Sequence, residues 1–383
     1  MPTATTRKIE NTALTPILYL AFELSLDKWK LAFATELGGK IRIRTIPARD
    51  LRALEREVTL AEQAFKLPKL SPVVSCYEAG RDGFWLQRHL EAENFTNYVV
   101  DPASVETSRR GKKPKTDRID VRKHLTMLMR YDAGEPAVWS VCHVPSVEDE
   151  DARHLHRELA DRMAERTRHT NRIKGLLIGQ GIRIETIPKD LPERLESMRL
   201  SDGLPLPTGL RARLTDEHEA WQLTNRQIRR LQQQQRQAIR EEESPALDQV
   251  RQLMELGAVG PQTAWISVRE FFGWREFQNR RQVGALAGFA PVPHQSGQED
   301  HNRGISKAGN RAIRALYVEL AWRWLRLQPE SELTRWYNRR FAKGGARQRK
   351  IGIVALARKL LIALWHFLEH GVIPEGAKLK PVA

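Results

Sequence analysis

"ILYLAFELS" (Ile17–Ser25), "KWKLAFATE" (Lys28–Glu36) and "KIRIRTI" (Lys40–Ile46) follow one another in close succession. The first is an apolar run of strand length. The third alternates charged and apolar residues, the period of a half-buried strand. Three strands this close together form an antiparallel meander. "ARDLRALEREVTLAEQAF" then has helical spacing, with Leu51, Leu54, Val58 and Ala61 on one face. A fresh strand, "PVVSCYEA", a short helix around Phe84–Leu90 and a further strand in "NYVVD" come next. A meander followed by alternating helix and strand predicts a mixed sheet flanked by helices, as in ribonuclease H-like nucleases.

Downstream of about Glu148 the texture changes. "EDEDARHLHRELADRMAERTRHTNRIKGLLIGQ" is charged and free of proline, with Leu155, Leu159, Met163 and Ile173 near helical spacing. A proline-bearing connector separates it from a second polar helix expected over about Arg211–Gly257. Such a pair predicts an antiparallel hairpin or an oligomerising coiled coil. The last part reads as helical with glycine turns, and Ile313, Leu316, Tyr317, Leu320 and Trp324 form one core stripe. The expected fold class is therefore α/β plus α: a mixed-sheet domain over 1–145, long charged helices over 146–250, and a mostly helical domain over 251–383.

Charge narrows the function. Among 383 residues, Lys and Arg number 63 against 47 Asp and Glu, giving a net charge of +16. That excess favours a polyanionic partner, most commonly nucleic acid. No apolar run is read as reaching the roughly 20 residues of a bilayer span, so no membrane partner is expected. "MPTATTRKIENTALTP" has no apolar signal region. With only Cys76 and Cys142, neither a disulfide framework nor a zinc site of paired cysteines is expected. A reducing cytoplasm fits.

Four carboxylates from three separated segments could converge on one point, two of them at strand ends, where open α/β sheets build sites. Glu23 is near the end of the first strand, and Glu78 is at the tip of "SCYEAG". Asp117 and Asp120, in "KTDRIDVRKHL", are three apart and share a helix face, with Thr116 as a candidate N-cap. Clustered carboxylates repel unless a cation neutralises them, and hard oxygen ligands select Mg²⁺ or Mn²⁺. Such an ion clamps the attacking and leaving oxygens of a phosphodiester. Taken one at a time, each acid is explained as well by a helix start or an arginine partner. The basic loop "RRGKKPK" supplies Arg109, Arg110, Lys112, Lys113 and Lys115 as candidate phosphate contacts.

Two further stretches concern nucleic acid. "LMELGAVGPQTAWI" resembles a helix-hairpin-helix turn, but Ala258 stands where the first glycine belongs, leaving Gly260 in register. "HQSGQEDHNRGISKAGNR" (His294–Arg311) combines serines with Gly304 and Gly309, the cap candidate Asn310, and Arg303, Lys307 and Arg311, with Arg314 just beyond. Cations beside a helix N-terminus make an anion site. A serine hydroxyl there is a candidate nucleophile for a phosphate, and spacing alone does not separate Ser296 from Ser306.

"YEAGRDGFWLQRHL", "KTDRIDVRKHL", "RHTNRIKGLL" and "LAGFAPVPHQSG…RGISKAGNRAIR", in this order, resemble the insertion-sequence transposases with a DEDD acid set, the bridge-RNA-guided serine recombinases. The resemblance covers roughly Leu18–Phe341. It implies a RuvC-like domain joined through a coiled coil to a serine-bearing domain. It also implies an acidic set of Glu23, Glu78, Asp117 and Asp120 holding Mg²⁺, and Ser296 rather than Ser306 as the residue that links to DNA. Dimers or tetramers are implied, with the acids of one protomer meeting the serine of another, and a bridge RNA that pairs with target and donor DNA. The family's first acid is Asp; Glu23 adds a methylene. A metal-dependent junction nuclease without a covalent intermediate, and an inactive basic nucleic-acid-binding protein, are the rival expectations.

Overall fold

Alternation along the first strands sorts side chains onto two faces, and the sheet follows from that sorting. The computed structural model describes residues 16–105, 117–296 and 299–381. Strands β1 (Leu18–Leu24), β2 (Lys28–Ala34) and β3 (Arg42–Pro47) form the antiparallel meander, with Tyr19 opposite Ala34 and Trp29 opposite Ile46. Helix α1 (Leu51–Phe65) leads to β4 (Val73–Glu78), which pairs parallel to β1; α2 (Trp85–Ala92) leads to β5 (Thr96–Val100), parallel to β4. The strand order is β3-β2-β1-β4-β5. Helix α3 (Asp117–Asp132) completes this unit.

Leu18, Leu20 and Phe22, with Trp29, Leu31 and Phe33, point to one face and pack against Leu54, Val58, Leu86 and Leu90 of α1 and α2. Asp50 caps α1 by accepting a hydrogen bond from the Ala53 amide at 2.9 Å. The opposite face is built from Ala21, Ala32, Ala34, Val74 and Cys76 against Val121, Leu125 and Leu128 of α3. Small side chains on that face let the helix lie close. The far end of α3 is fastened by Tyr19, whose hydroxyl donates to Asp132 at 2.7 Å.

The chain divides into two compact units, Met1–Val144 and Pro145–Ala383. The second begins with α4 (Val147–Asp151) and the long α5 (His154–Ile178), followed by α6 (Leu191–Ser197) and α7 (Thr208–Glu241). Helices α5 and α7 pack as an antiparallel pair: Leu159 meets Ile228 and Leu231, while Ile173 and Leu177 share a cluster with Leu214. The expected second helix is shorter than its sequence reading. It stops at Glu241, and α8 (Pro245–Met254) starts anew behind Ser244, whose hydroxyl accepts from the Leu247 amide. Pro245 lacks the N–H that a continuous helix would need there and is favoured at a first helical position instead.

Next come α9 (Pro261–Ser267), a π turn at Val268–Phe272, α10 (Arg280–Leu286), strands β6 (Pro291–Ser296) and β7 (Glu299–Ile305), α11 (Arg311–Leu327), α12 (Glu332–Tyr337), a second π turn at Asn338–Ala342, and α13 (Ala346–His370). The predicted core stripe is largely as read: Ile313, Tyr317, Leu320 and Trp324 are buried in α11, and Leu316 packs at the edge of the same core. The hairpin β6–β7 was not expected. Pro291 and Pro293 oppose a helix, and a two-stranded ribbon has only edges, where proline is tolerated. One apolar segment also exceeds its sequence reading: α13 is long and apolar enough to span a bilayer, although half of its most apolar stretch is buried in the protein.

Candidate functional site

In the first unit, Glu23 and Glu78 each lie two residues beyond the paired Ala21 and Cys76 on neighbouring parallel strands. Parity puts both on the face that packs against α3. A cleft of about 150 Å³ opens beside them, lined also by Gly80, Arg81 and Asp82. The turn after β4 is held by Arg49, whose guanidinium pairs with Asp82 at 3.0 Å, and by the Tyr77 hydroxyl, which donates to the Gly83 carbonyl at 3.1 Å.

Between the two acids stands a residue that sequence reading missed. His124 is 5% exposed; its Nε2 lies 2.9 Å from Glu78 Oε1 and its Nδ1 lies 3.8 Å from Glu23 Oε2. The signal was present. Position 124 falls in the buried helical stripe Val121, Leu125, Leu128, where an apolar residue is the default. An imidazole there has a polar partner to find, and it finds the strand-end acids.

Asp120 is half-buried, one helical turn before His124. Asp117 opens α3, but its side chain lies outside the described residues, as do Thr116 and the basic set Arg109, Arg110, Lys112, Lys113 and Lys115. Carboxylate oxygens on adjacent strands suit Mg²⁺ or Mn²⁺ in ligand type. Among the described residues, no group of three or more His, Cys, Asp or Glu side chains is close enough to hold a metal ion.

In the second unit, Ser296 closes β6 and pairs in register with Glu299; its side chain and that of Arg303 lie outside the described residues. The base of the hairpin is pinned by backbone bonds. The Ser306 amide donates to Ala290 at 2.8 Å, Lys307 to Gly288 at 3.1 Å, and Asn310 to Leu286 at 2.7 Å. Gly309 has φ +108°, and a Cβ there would fall 2.3 Å from the Leu286 carbonyl oxygen, so glycine is required. Asn310 caps α11 as predicted, accepting from the Ile313 amide at 3.0 Å. Lys307 and Arg311 are exposed, whereas Arg314 is half-buried and donates to the Ala287 carbonyl at 3.1 Å. Gly260 caps α9 with φ −92°, an ordinary conformation, and Ala258 and Val259 beside it are buried.

A second residue that the sequence did not flag ties this region together. Glu270, in the π turn, is 7% exposed. It sits 3.0 Å from His156 Nε2 and accepts from Arg157 at 2.8 and 3.2 Å and from Asn310 Nδ2 at 3.1 Å. Burial pushes its carboxyl up, but the hydrogen bonds and charges of His156 and Arg157 outweigh burial and hold it at about 2. One carboxylate thus joins α5, the π turn and the cap of α11. A lone acid inside the apolar run "VREFF" was its only trace in the sequence.

A protein of Sinorhizobium fredii named as a transposase, y4rJ, is 39% identical over 380 residues, covering 95% of this chain and 94% of its own length. The sequence pattern of the IS116/IS110/IS902 transposase family matches residues 250–335. The chain belongs to that family. The transposase for insertion sequence element IS1328 of Yersinia enterocolitica is 23% identical, over 79% of this chain and 85% of its own. The segment matched by the IS116/IS110/IS902 pattern begins in α8 and ends in α12, and so contains Ser296, Glu270, the hairpin and the Asn310 cap.

Proposed function

We propose that this transposase binds, cuts and rejoins the DNA of its own insertion sequence through Ser296. The Ser296 hydroxyl oxygen attacks a DNA phosphorus, the P–O bond to one side of the backbone breaks, and that oxygen leaves as a hydroxyl. The phosphodiester passes to serine, so rejoining is the same exchange run backwards with a new strand end. The carboxylates of Glu23, Glu78, Asp117 and Asp120 would hold Mg²⁺ or Mn²⁺, which supplies charge stabilisation at the phosphate. The carrying observation is the alignment of Glu23 and Glu78 at the ends of adjacent parallel strands, facing the helix that bears the two aspartates.

The strand order β3-β2-β1-β4-β5, with its helical crossovers, supports a ribonuclease H-like (RuvC-like) reading of the first unit. The net charge of +16 supports a nucleic-acid partner. A bridge RNA that sets donor and target sequences, and an oligomer in which the acids of one protomer serve the serine of another, complete the proposal.

The test is denaturing electrophoresis of labelled element-end DNA with the protein and Mg²⁺. Wild type yields a protein-linked DNA band, and Ser296→Ala yields none while still binding DNA. An undiminished adduct from Ser296→Ala removes the serine from the reaction. Metal-dependent cleavage by wild type without linked protein identifies a nuclease that uses water instead.

A further inference from the structure

A groove of about 770 Å³ runs between the base of the β6–β7 hairpin and the N-terminal half of α13. We propose that this groove is a channel for a DNA backbone, with Arg347, Lys350 and Arg358 as phosphate contacts beside Lys307. It deepens the function proposed above and rests on that reading for the choice of DNA.

The α13 wall is a single helical stripe. Arg347, Lys350, Ile351, Val354 and Arg358 recur at the i, i+3, i+4, i+7 and i+11 positions of one face and line the groove together. Opposite them stand Pro291 and Ile305, a register pair at the foot of the hairpin. Among the described residues, four cations line the groove and no acid does. Elsewhere on the chain several arginines pair with acids nearby: Arg162 with Glu165, Arg251 with Asp248, Arg335 with Glu330. Among the described residues, none of the four groove cations forms an ion pair. Like charges are gathered in one place and left uncompensated, which suits a polyanion.

Two details refine the ligand. Arg358 is half-buried, its Nε lying close to Gly284 of α10, where an added Cβ would meet it at 3.0 Å. A phosphate oxygen is the acceptor that the guanidinium fork is shaped for. Ile351 is 53% exposed beside Val354, an apolar floor between cations that fits deoxyribose edges between phosphates. From Arg347 to Arg358 the helix rises roughly 16 Å, the axial rise of about five base pairs. Ser296 stands at the other end of β6, five residues from Pro291, or roughly 16 Å of extended chain. A strand gripped in the groove therefore leads toward the serine.

The experiment measures the salt dependence of affinity for a fluorescent DNA duplex, and for an RNA duplex of the same sequence. Replacing Arg347 and Lys350, both exposed, by Gln should lower the slope of log affinity on log salt by about 2, close to one per phosphate contact. The affinity lost between about 50 and about 200 mM salt then shrinks roughly ten-fold. The charge-conserving pair Arg347→Lys with Lys350→Arg should keep the wild-type slope, and so should Arg229→Gln with Arg230→Gln on α7. Melting temperatures matching wild type establish that each variant is folded. An unchanged slope in the Gln pair, an equal drop in the α7 pair, or a drop confined to RNA overturns the channel. Because no step reads covalent chemistry, a failure of Ser296 to form an adduct leaves this result standing. A normal adduct with an unchanged slope removes the groove alone.

Discussion

The two candidate centres are held in opposite ways. Glu23 and Glu78 project from a five-stranded sheet backed by α3, with His124 wedged between them at 5% exposure. Ser296 ends one strand of a two-stranded ribbon whose described anchors are all at its base, in the bonds of Ser306, Lys307 and Asn310. A sheet with a packed helix fixes side-chain position over its whole length, whereas a lone ribbon depends on what holds its foot. The contrast matches the chemistry proposed for each. A charge-clamping acid set loses its effect when it shifts by an ångström, while a nucleophile that must swap strands benefits from a mount whose position is set by assembly on DNA.

That contrast breaks most sharply at the acids. Glu78→Gln keeps the shape and removes the charge, and DNA cleavage should fall about 100-fold or more, the scale of several kcal/mol of lost charge stabilisation. Cleavage assays in Mg²⁺ check this, and near-wild-type rates would detach the sheet from the reaction. The next effect belongs to the serine-bearing unit. Glu270→Gln leaves His156 and Arg157 without their counter-charge and should cost on the order of 3 kcal/mol in denaturant unfolding. The Glu270 carboxyl is depressed from 4.5 to about 2, so its contribution is complete above about pH 4.5 and is lost as pH falls through about 2. The stability gap between wild type and variant should close as pH falls through that window.

A smaller loss is expected from His124→Leu, which fills the same buried space but removes the imidazole contact to Glu78. Cleavage should drop roughly 10–100-fold while thermal stability holds, and His124→Gln, which restores a donor, should recover part of the rate. If both variants cleave normally, His124 only packs. Smallest of all, Asn310→Ala removes the α11 cap and should lower stability by about 1 kcal/mol in thermal melts. A larger loss there would mean that the Asn310 bond to Glu270 matters more than the cap.

What was legible in the sequence follows from what repeats. The strands of the first unit and their acids could be read because apolar alternation and helical stripes recur over many residues, and the Asn310 cap because it ends such a pattern. The hairpin could not be read this way. "PVPHQS" and "EDHNRGI" contain few apolar residues, and their pairing depends on partners across the ribbon. His124 and Glu270 were hidden for a related reason. Each is one polar side chain in an apolar stripe, and only the neighbours brought by folding, Glu78 in one case and Arg157 in the other, reveal what it does. The break at Pro245 was visible in principle, since a serine before a proline is a helix start.

The Glu270 junction has a mechanical corollary. A carboxylate held by His156, Arg157 and Asn310 leaves the long arm, the distorted turn and the cap residue of α11 little freedom to slide separately. Torque applied to the arm would be transmitted through a few ångströms of oxygen and nitrogen to the foot of the ribbon that carries Ser296.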